Sequence, residues 1–198
     1  MEKRSVSFTT LLLAAVIMLS AVIAGCASQA PPASPVEETK LSTIDPAQLV
    51  LRPSEIPAMY ILDEEWERDA ADMNPWALDK GWKKGYGIYY EKQAPDARFL
   101  QHAISIYPAE NITLIVPDTV NKWKNGSAEG NFTVEELLSP GIGDSSSALK
   151  VTEVDDPMNM YIISFVKYDV YEELWTNGTA TDYDMLKQLA TAAAGKIQ

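Results

Sequence analysis

Cysteine and histidine are nearly absent from this chain of 198 residues, which contains one of each, Cys26 and His102. A disulfide framework within the chain is therefore excluded. A structural zinc site needs several Cys or His ligands and is not expected either. A catalytic triad would have to use His102, since these mechanisms need a base that titrates near neutral pH. We interpret His102 as an ordinary residue of a predicted strand.

Positive charge is also scarce, because 16 Lys and Arg residues stand against 28 Asp and Glu residues, a formal net charge of −12. Binding to nucleic acid requires a basic stripe, which this composition argues against. Docking on anionic lipid headgroups is disfavoured for the same reason. We interpret the acidic surface as a means of solubility, or of adaptation to a salty exterior, rather than as a cation store.

Motifs that hold metals or phosphates are missing too. No carboxylates follow the spacing of a helix–loop–helix calcium site. Asp155-Asp156 leaves open a weak Ca²⁺ site, although we favour a solvated turn. The segment Gly141-Ile142-Gly143-Asp144 lacks the Gly-Lys-Ser/Thr ending of a P-loop and the third glycine of a dinucleotide fingerprint. It predicts a structural loop in which Asp144 accepts hydrogen bonds from its own loop. We expect no metal and no cofactor.

The N-terminal segment has the pattern of a secretory signal. Lys3 and Arg4 precede an apolar run over residues 8–24, and Ile23-Ala24-Gly25-Cys26 resembles a lipobox. We therefore predict a signal peptide over residues 1–25 and a lipid on Cys26. The alternative is an uncleaved anchor helix in which Cys26 is incidental. Both interpretations place the folded part on the outer face of the membrane.

The remainder predicts one α+β domain over residues 46–198, after a flexible tether over residues 26–45 that is rich in Ala, Ser and Pro. Asp45-Pro46 and Asn74-Pro75 predict helix starts. A helix over 118–124 should stop at Asn125-Gly126, while 111–116 is open to helix or strand. The last helix should be capped by Thr181 or Asp182 and pack through an apolar stripe on an antiparallel sheet. Strands are predicted over 60–67, 85–92, 99–107, 132–138, 149–154, 160–166 and 170–175.

Two sets of residues are candidates for modification or binding. Four Asn-x-Ser/Thr sequons, at Asn111, Asn125, Asn131 and Asn177, predict N-glycosylation at some of these positions where the host has that machinery. Aromatic residues concentrate between residues 76 and 90. We choose Trp82 and Tyr89 there as candidate ligand contacts, because Gly81 and Gly85 would leave the region open. Packing in the core is the alternative role.

Several short pieces are similar to known lipoproteins: Gly81-Trp82 with Gly85-Tyr86, residues 104–107, residues 140–144, residues 163–165 and the final helix ending in Gly195-Lys196-Ile197. On these pieces most of residues 46–198 resembles small predicted surface lipoproteins of methanogenic archaea, whose function is unassigned. More distantly, the plan resembles the PsbP-like sandwich and LpqN-type mycobacterial lipoproteins. The resemblance implies an architecture and an envelope location, and it assigns no catalytic residues.

These observations favour a non-catalytic binding or accessory module, anchored to the membrane through Cys26. Its partner would be an envelope protein, or a small molecule or glycan. Two alternatives stay open. One is an extracytoplasmic hydrolase built on a pair of carboxylates, for which a cleft with two acids would be the evidence. The other is a purely structural envelope component.

Overall fold

One antiparallel β-sheet organises the chain. The computed structural model describes residues 43–92, 98–153 and 159–198, and in these ranges seven strands pair in the order β1-β2-β3-β7-β6-β5-β4. The strands are β1 (Tyr60–Arg68), β2 (Lys84–Lys92), β3 (Arg98–Ile106), β4 (Phe132–Leu137), β5 (Ser145–Glu153), β6 (Asn159–Lys167) and β7 (Val170–Gly178). The predicted hairpin β2–β3 and the meander β5–β6–β7 are confirmed.

Four α-helices accompany the sheet in the described ranges: α1 (Pro46–Leu49), α2 (Pro75–Asp79), α3 (Ala109–Glu129) and α4 (Ala180–Lys196). The two predicted Asx-Pro starts are confirmed. The Asp45 carboxylate accepts a hydrogen bond from the N–H of Ala47 at 3.0 Å, and the Asn74 side chain accepts one from the N–H of Ala77 at 3.0 Å. Helices grouped against an antiparallel sheet make this an α+β fold, as expected.

Helices α1 and α4 cover one side of the sheet, here called the α4 face. Because side chains alternate along a strand, every second residue of β2, β3, β7 and β6 points to this face. The predicted stripe of α4 is buried against it, and the stripe consists of Leu186, Leu189, Ala190, Ala193 and Ile197. The Lys167 ammonium also donates hydrogen bonds to the carbonyls of Ala194 and Ile197, at 3.0 and 2.6 Å. These two bonds fix the C-terminal end of α4 to the sheet.

Helix α3 packs on the opposite side, here called the α3 face. Its residues Ile112, Ile115 and Val116 are buried with Val166 and Tyr171 of the sheet. Further along, Val120 packs on Leu149, Val151 and Ile162. This helix lies over β4, β5, β6 and β7. Residues 73–77, here called the α2 segment, border it. The space between α3, the α2 segment and the sheet contains the candidate site.

The prediction that the helix over 118–124 stops at Asn125-Gly126 is wrong. Helix α3 runs without interruption from Ala109 to Glu129, through Pro117 and through Gly126. Pro117 is exposed, whereas its neighbours Ile115 and Val116 are buried. Burial of this apolar face on the sheet outweighs the local preference of proline and glycine against helix, because tertiary packing supplies most of the stability of a protein helix.

The start of α4 also differs from the prediction. Thr179, rather than Thr181 or Asp182, is the N-cap, and Asp182 sits three residues into the helix. The Asp182 carboxylate accepts hydrogen bonds from the backbone N–H of Thr179 at 2.7 Å and from its hydroxyl at 2.8 Å. The Thr179 side chain in turn meets the backbone N–H of Asp182, which completes a capping box, so the Thr-x-x-Asp spacing decides the boundary.

The glycine loop before β5 has a structural role, as predicted, but Asp144 acts differently. Its carboxylate accepts a hydrogen bond at 2.8 Å from the backbone N–H of Tyr168, in the turn between β6 and β7, rather than from its own loop. Strand β5 begins immediately afterwards at Ser145, four residues before the predicted start at 149, because Ser145 already pairs with Val166 of β6.

Candidate functional site

A cavity of about 420 Å³ lies on the α3 face, between α3, the segment from the end of β1 to α2, and the sheet. This volume falls within the range of roughly 300–1,000 Å³ that is usual for small-molecule sites. The cavity is lined by aromatic side chains and a few polar groups, which is the composition expected of a ligand site.

The floor of the cavity comes from β3 and β7. Ser105 of β3 is paired with Tyr171 of β7, and alternation along β7 places Glu173 and Trp175 on the same face as Tyr171. Tyr107 follows β3 and packs edge-on against Tyr171, with the two ring centroids 6.3 Å apart. Burial raises the pKa of Tyr107 to about 12, so its phenol stays protonated at neutral pH.

Helix α3 supplies one wall. Thr119, Lys122, Trp123 and Gly126 line the cavity, and their spacing of three, one and three residues places them on one face of the helix. The Trp123 ring packs edge-on against Trp175, with centroids 5.4 Å apart, so wall and floor meet in one aromatic corner. Gly126 has no side chain and widens the cavity beside that corner.

Glu173 is the carboxylate of the lining. It is surrounded closely enough that burial raises the pKa of its carboxyl above the usual range, while the nearby Trp175 indole and Arg68 guanidinium act in the opposite direction. The hydroxyl of Ser164 lies 3.4 Å from the Glu173 carboxylate, a long hydrogen bond. The Trp175 indole N–H is buried and close enough to Glu173 to lower the pKa of its carboxyl, although the geometry between them falls short of a well-formed hydrogen bond.

Two cations border the cavity. The Arg68 guanidinium, at the end of β1, donates to the Ser105 hydroxyl at 3.1 Å. The Lys122 ammonium lies 4.5 Å from the ring centroid of Trp76, in a cation–π contact. Within the described part of the chain, neither cation forms an ion pair with a carboxylate.

Trp82 and Tyr89, the ligand contacts expected from the sequence, do not line this cavity. Trp82 is buried on the same α3 face, among Ala77 and Tyr107, and its indole N–H donates to the Ser105 hydroxyl at 3.0 Å. Tyr89 stacks on Phe99, with ring centroids 5.8 Å apart, further along the sheet. The structure therefore does not bring the two together, and Trp82 contributes to the cavity only by positioning Ser105.

The residues that do line the cavity had recognisable sequence signals. Tyr171, Glu173 and Trp175 alternate along a strand, and the α3 residues recur at helical spacing. Both signals also describe ordinary packing positions. Only the pairing of β7 with β3, and the continuation of α3 past Pro117, bring the two patterns face to face.

His102 is a buried strand residue, as the sequence analysis interpreted it. Its Nδ1 accepts a hydrogen bond from the N–H of Leu51 at 3.1 Å, so its proton lies on Nε2, which is 2.9 Å from the Glu172 carboxylate. Both groups are fully buried on the α4 face, on the opposite side of the sheet from the cavity. Both ring nitrogens of His102 are occupied by structural contacts.

The four sequons differ in what their side chains do. The Asn111 amide donates to the carbonyl of Lys80 at 3.1 Å, and the Asn177 amide oxygen accepts from the N–H of Phe99 at 2.9 Å. Asn125 and Asn131 are exposed. Glycosylation at any of the four stays a prediction, and the two exposed side chains are the more accessible acceptors.

Several other predictions lie outside the described residues. They are the signal peptide over 1–25, the lipid on Cys26, most of the tether, and the Asp155-Asp156 turn. Among the residues that the structure describes, no helix has both the length and the hydropathy needed to cross a bilayer.

Comparison with solved structures shows a similar fold in a protein of known structure. The fold is similar to the crystal structure of the extracellular domain of PknH from Mycobacterium tuberculosis, with a TM-score of 0.57 and 15% sequence identity. The similarity covers 82% of this chain and 98% of that domain. No protein-family model matches the chain, and no curated protein matches it. At this identity the likeness extends to the fold alone.

Proposed function

We propose that this protein is a membrane-anchored, extracytoplasmic binding module that holds a small, flat or apolar organic molecule in the cavity on the α3 face. The cavity itself is the observation that carries the proposal. Trp76, Trp123 and Trp175 line it, and aromatic faces bind rings and apolar bodies over a large area. The extracytoplasmic location rests on the apolar N-terminal run and Cys26, and the likeness to an extracellular domain is consistent with it.

A non-catalytic role is the better reading of the same site. Hydrolysis by two carboxylates requires a second acid on the other side of the scissile bond, roughly 5–10 Å away. Among the described residues that line the cavity, the one carboxylate is Glu173. His102, the remaining candidate base, is buried on the opposite face of the sheet. The described lining therefore does not supply the pair of carboxylates that this hydrolytic mechanism needs.

A thermal-unfolding screen of the full-length protein in detergent tests the proposal. The panel should contain flat aromatic molecules that are neutral, acidic or basic, together with sugars and peptides. A ligand present at 100 times its Kd stabilises the folded state by about 2.7 kcal/mol, which raises the Tm by several degrees. Three of the five tryptophans line the cavity, so a true ligand should also change the intrinsic tryptophan fluorescence.

Trp66 provides the control for this readout, since it lies over Gly87, outside the cavity. The fluorescence change should persist in a Trp66→Phe variant. If no class in the panel raises the Tm, or if the change disappears in the Trp66→Phe variant, the cavity is not the binding site and the proposal fails.

A further inference from the structure

We infer that the ligand of this cavity is an organic anion, a carboxylate carried on a flat apolar body. This inference rests on the proposed function and deepens it. It starts from a contrast of charge. The chain as a whole has a formal net charge of −12, yet the cavity lining contains two cations, Arg68 and Lys122, and one acid, Glu173. The balance of charge in the lining is therefore opposite in sign to that of the chain as a whole.

Arg68 and Lys122 differ from other cations on the same surface, which form salt bridges with carboxylates. Lys124, two residues after Lys122 on α3, has its ammonium 2.5 Å from the Glu136 carboxylate. Lys80, at the end of α2, has its ammonium 2.8 Å from the Asp118 carboxylate. Lys122 has instead the face of Trp76, and Arg68 has the Ser105 hydroxyl. Within the described residues neither cation forms a salt bridge, and Glu173, whose pKa the Arg68 guanidinium acts to lower, is the one acid beside them in the lining.

Trp175 adds a third donor of the same kind. Its indole N–H is buried at the cavity and lies close enough to the Glu173 carboxyl to lower its pKa, but it forms no hydrogen bond of good geometry within the described residues. Buried polar groups are nearly always hydrogen-bonded, so a ligand oxygen could complete this hydrogen bond. A carboxylate presents two acceptor oxygens and a negative charge, which suit an indole N–H, a guanidinium and an ammonium together.

The carboxyl of Glu173 repels a bound anion less strongly than an exposed glutamate would. Burial raises the pKa of its carboxyl, so negative charge at this position is disfavoured from the start. Its ionised form would in turn favour an organic cation. An organic cation would have to bind beside Arg68 and Lys122, so the balance of charge in the lining favours the anion.

Three probes with the same ring system test the inference: 2-naphthoate, 2-naphthamide and 2-naphthylmethylammonium. Their binding to the full-length protein in detergent is measured by isothermal titration calorimetry at low salt. We expect naphthoate to bind at least about tenfold more tightly than the amide, because a charge-assisted hydrogen bond contributes about 1.5–3 kcal/mol. The ammonium probe should bind most weakly. Added salt should reduce the preference for naphthoate, because mobile ions screen charge.

Matched variants on α3 locate the charge. Lys122→Gln and Lys124→Gln each remove one positive charge two residues apart, but only Lys122 lines the cavity. Naphthoate affinity should fall about tenfold in Lys122→Gln and in Arg68→Gln, and should stay near the parent value in Lys124→Gln. Unchanged far-ultraviolet circular dichroism would establish that the variants are folded.

The outcomes separate this inference from the proposed function. Equal binding of naphthoate and naphthamide, or equal effects of Lys122→Gln and Lys124→Gln, would overturn the anion inference and leave the binding module intact. Tightest binding of the ammonium probe would overturn it in favour of Glu173 as the recognition group. Failure of all three probes to bind would count against the cavity as a site for flat apolar molecules, and so against both proposals.

Discussion

Leucine in place of Gly126 should fill the candidate cavity and stabilise the fold at the same time. Gly126 lies inside α3 and lines the cavity. A β-carbon built on this residue would meet one atom within 4 Å, Cζ of Phe132 at 3.7 Å, which is an ordinary van der Waals contact. The backbone therefore accepts a side chain here without strain, and we expect the rest of the leucine to occupy cavity space.

Gly126→Leu should raise the stability of the fold and weaken ligand binding, and one experiment can measure both effects. Glycine inside a helix is less favourable than leucine by about 0.6–1 kcal/mol, so the free energy of unfolding should rise by about that amount. For a chain of 198 residues this corresponds to a Tm increase of about 1–4 °C. Ligand binding should weaken by about tenfold or more, since forcing a ligand against added methylene groups costs about 1–3 kcal/mol. Thermal unfolding with and without ligand measures both.

Gly195→Leu is the matched control. Gly195 also lies inside a helix, α4, and a β-carbon there would have no neighbour within 4 Å. Its replacement should raise the Tm without changing the ligand-induced shift. The reasoning is refuted if Gly126→Leu responds to ligand as fully as the parent protein does, because the ligand would then bind elsewhere. A fall in the Tm of Gly126→Leu would show that the position does not accept a side chain.

Two further predictions concern the fold. Gly143→Ala should destabilise the protein by more than Gly141→Ala. Both glycines have positive φ, a backbone conformation that costs alanine about 1–2 kcal/mol. Only at Gly143 would the new β-carbon also lie 2.3 Å from the Val166 carbonyl oxygen. Urea denaturation measures the difference, and equal losses would contradict the steric argument. Thr179→Ala should reduce stability by about 1 kcal/mol through loss of the helix cap, whereas Thr181→Ala should stay within about 0.5 kcal/mol; the reverse order would restore Thr181 as the cap.

Secondary structure could be predicted from the sequence wherever a short residue pattern strongly favours one local structure. Asx-Pro pairs predicted the starts of α1 and α2, and alternating apolar residues predicted the strands within a few residues. The apolar stripe of the last helix predicted which of its residues are buried. Each of these features depends on residues that are close in sequence, so no contact with a distant part of the chain is needed to predict it.

Helix α3 shows where that local argument fails. Pro117 and Asn125-Gly126 are helix breakers by propensity, yet the helix continues through both. The deciding contribution is the burial of Ile112, Ile115 and Val120 on a sheet whose strands are far away in sequence. Residue preferences of a few tenths to a few kcal/mol are overridden when a whole apolar face is buried.

The candidate site divides in the same way. Composition by itself determined the acidic character of the chain, and its patterns predicted the α+β plan, which the structure confirms, and the anchor at Cys26, which stays a prediction. Tertiary structure decided which aromatic residues meet. Trp82 and Tyr89 are close in sequence but point to different neighbours, whereas Trp123 and Trp175 are 52 positions apart, with ring centroids separated by 5.4 Å. A cavity is a property of surfaces brought together by strand pairing and helix packing, so its lining has no counterpart in any single stretch of sequence.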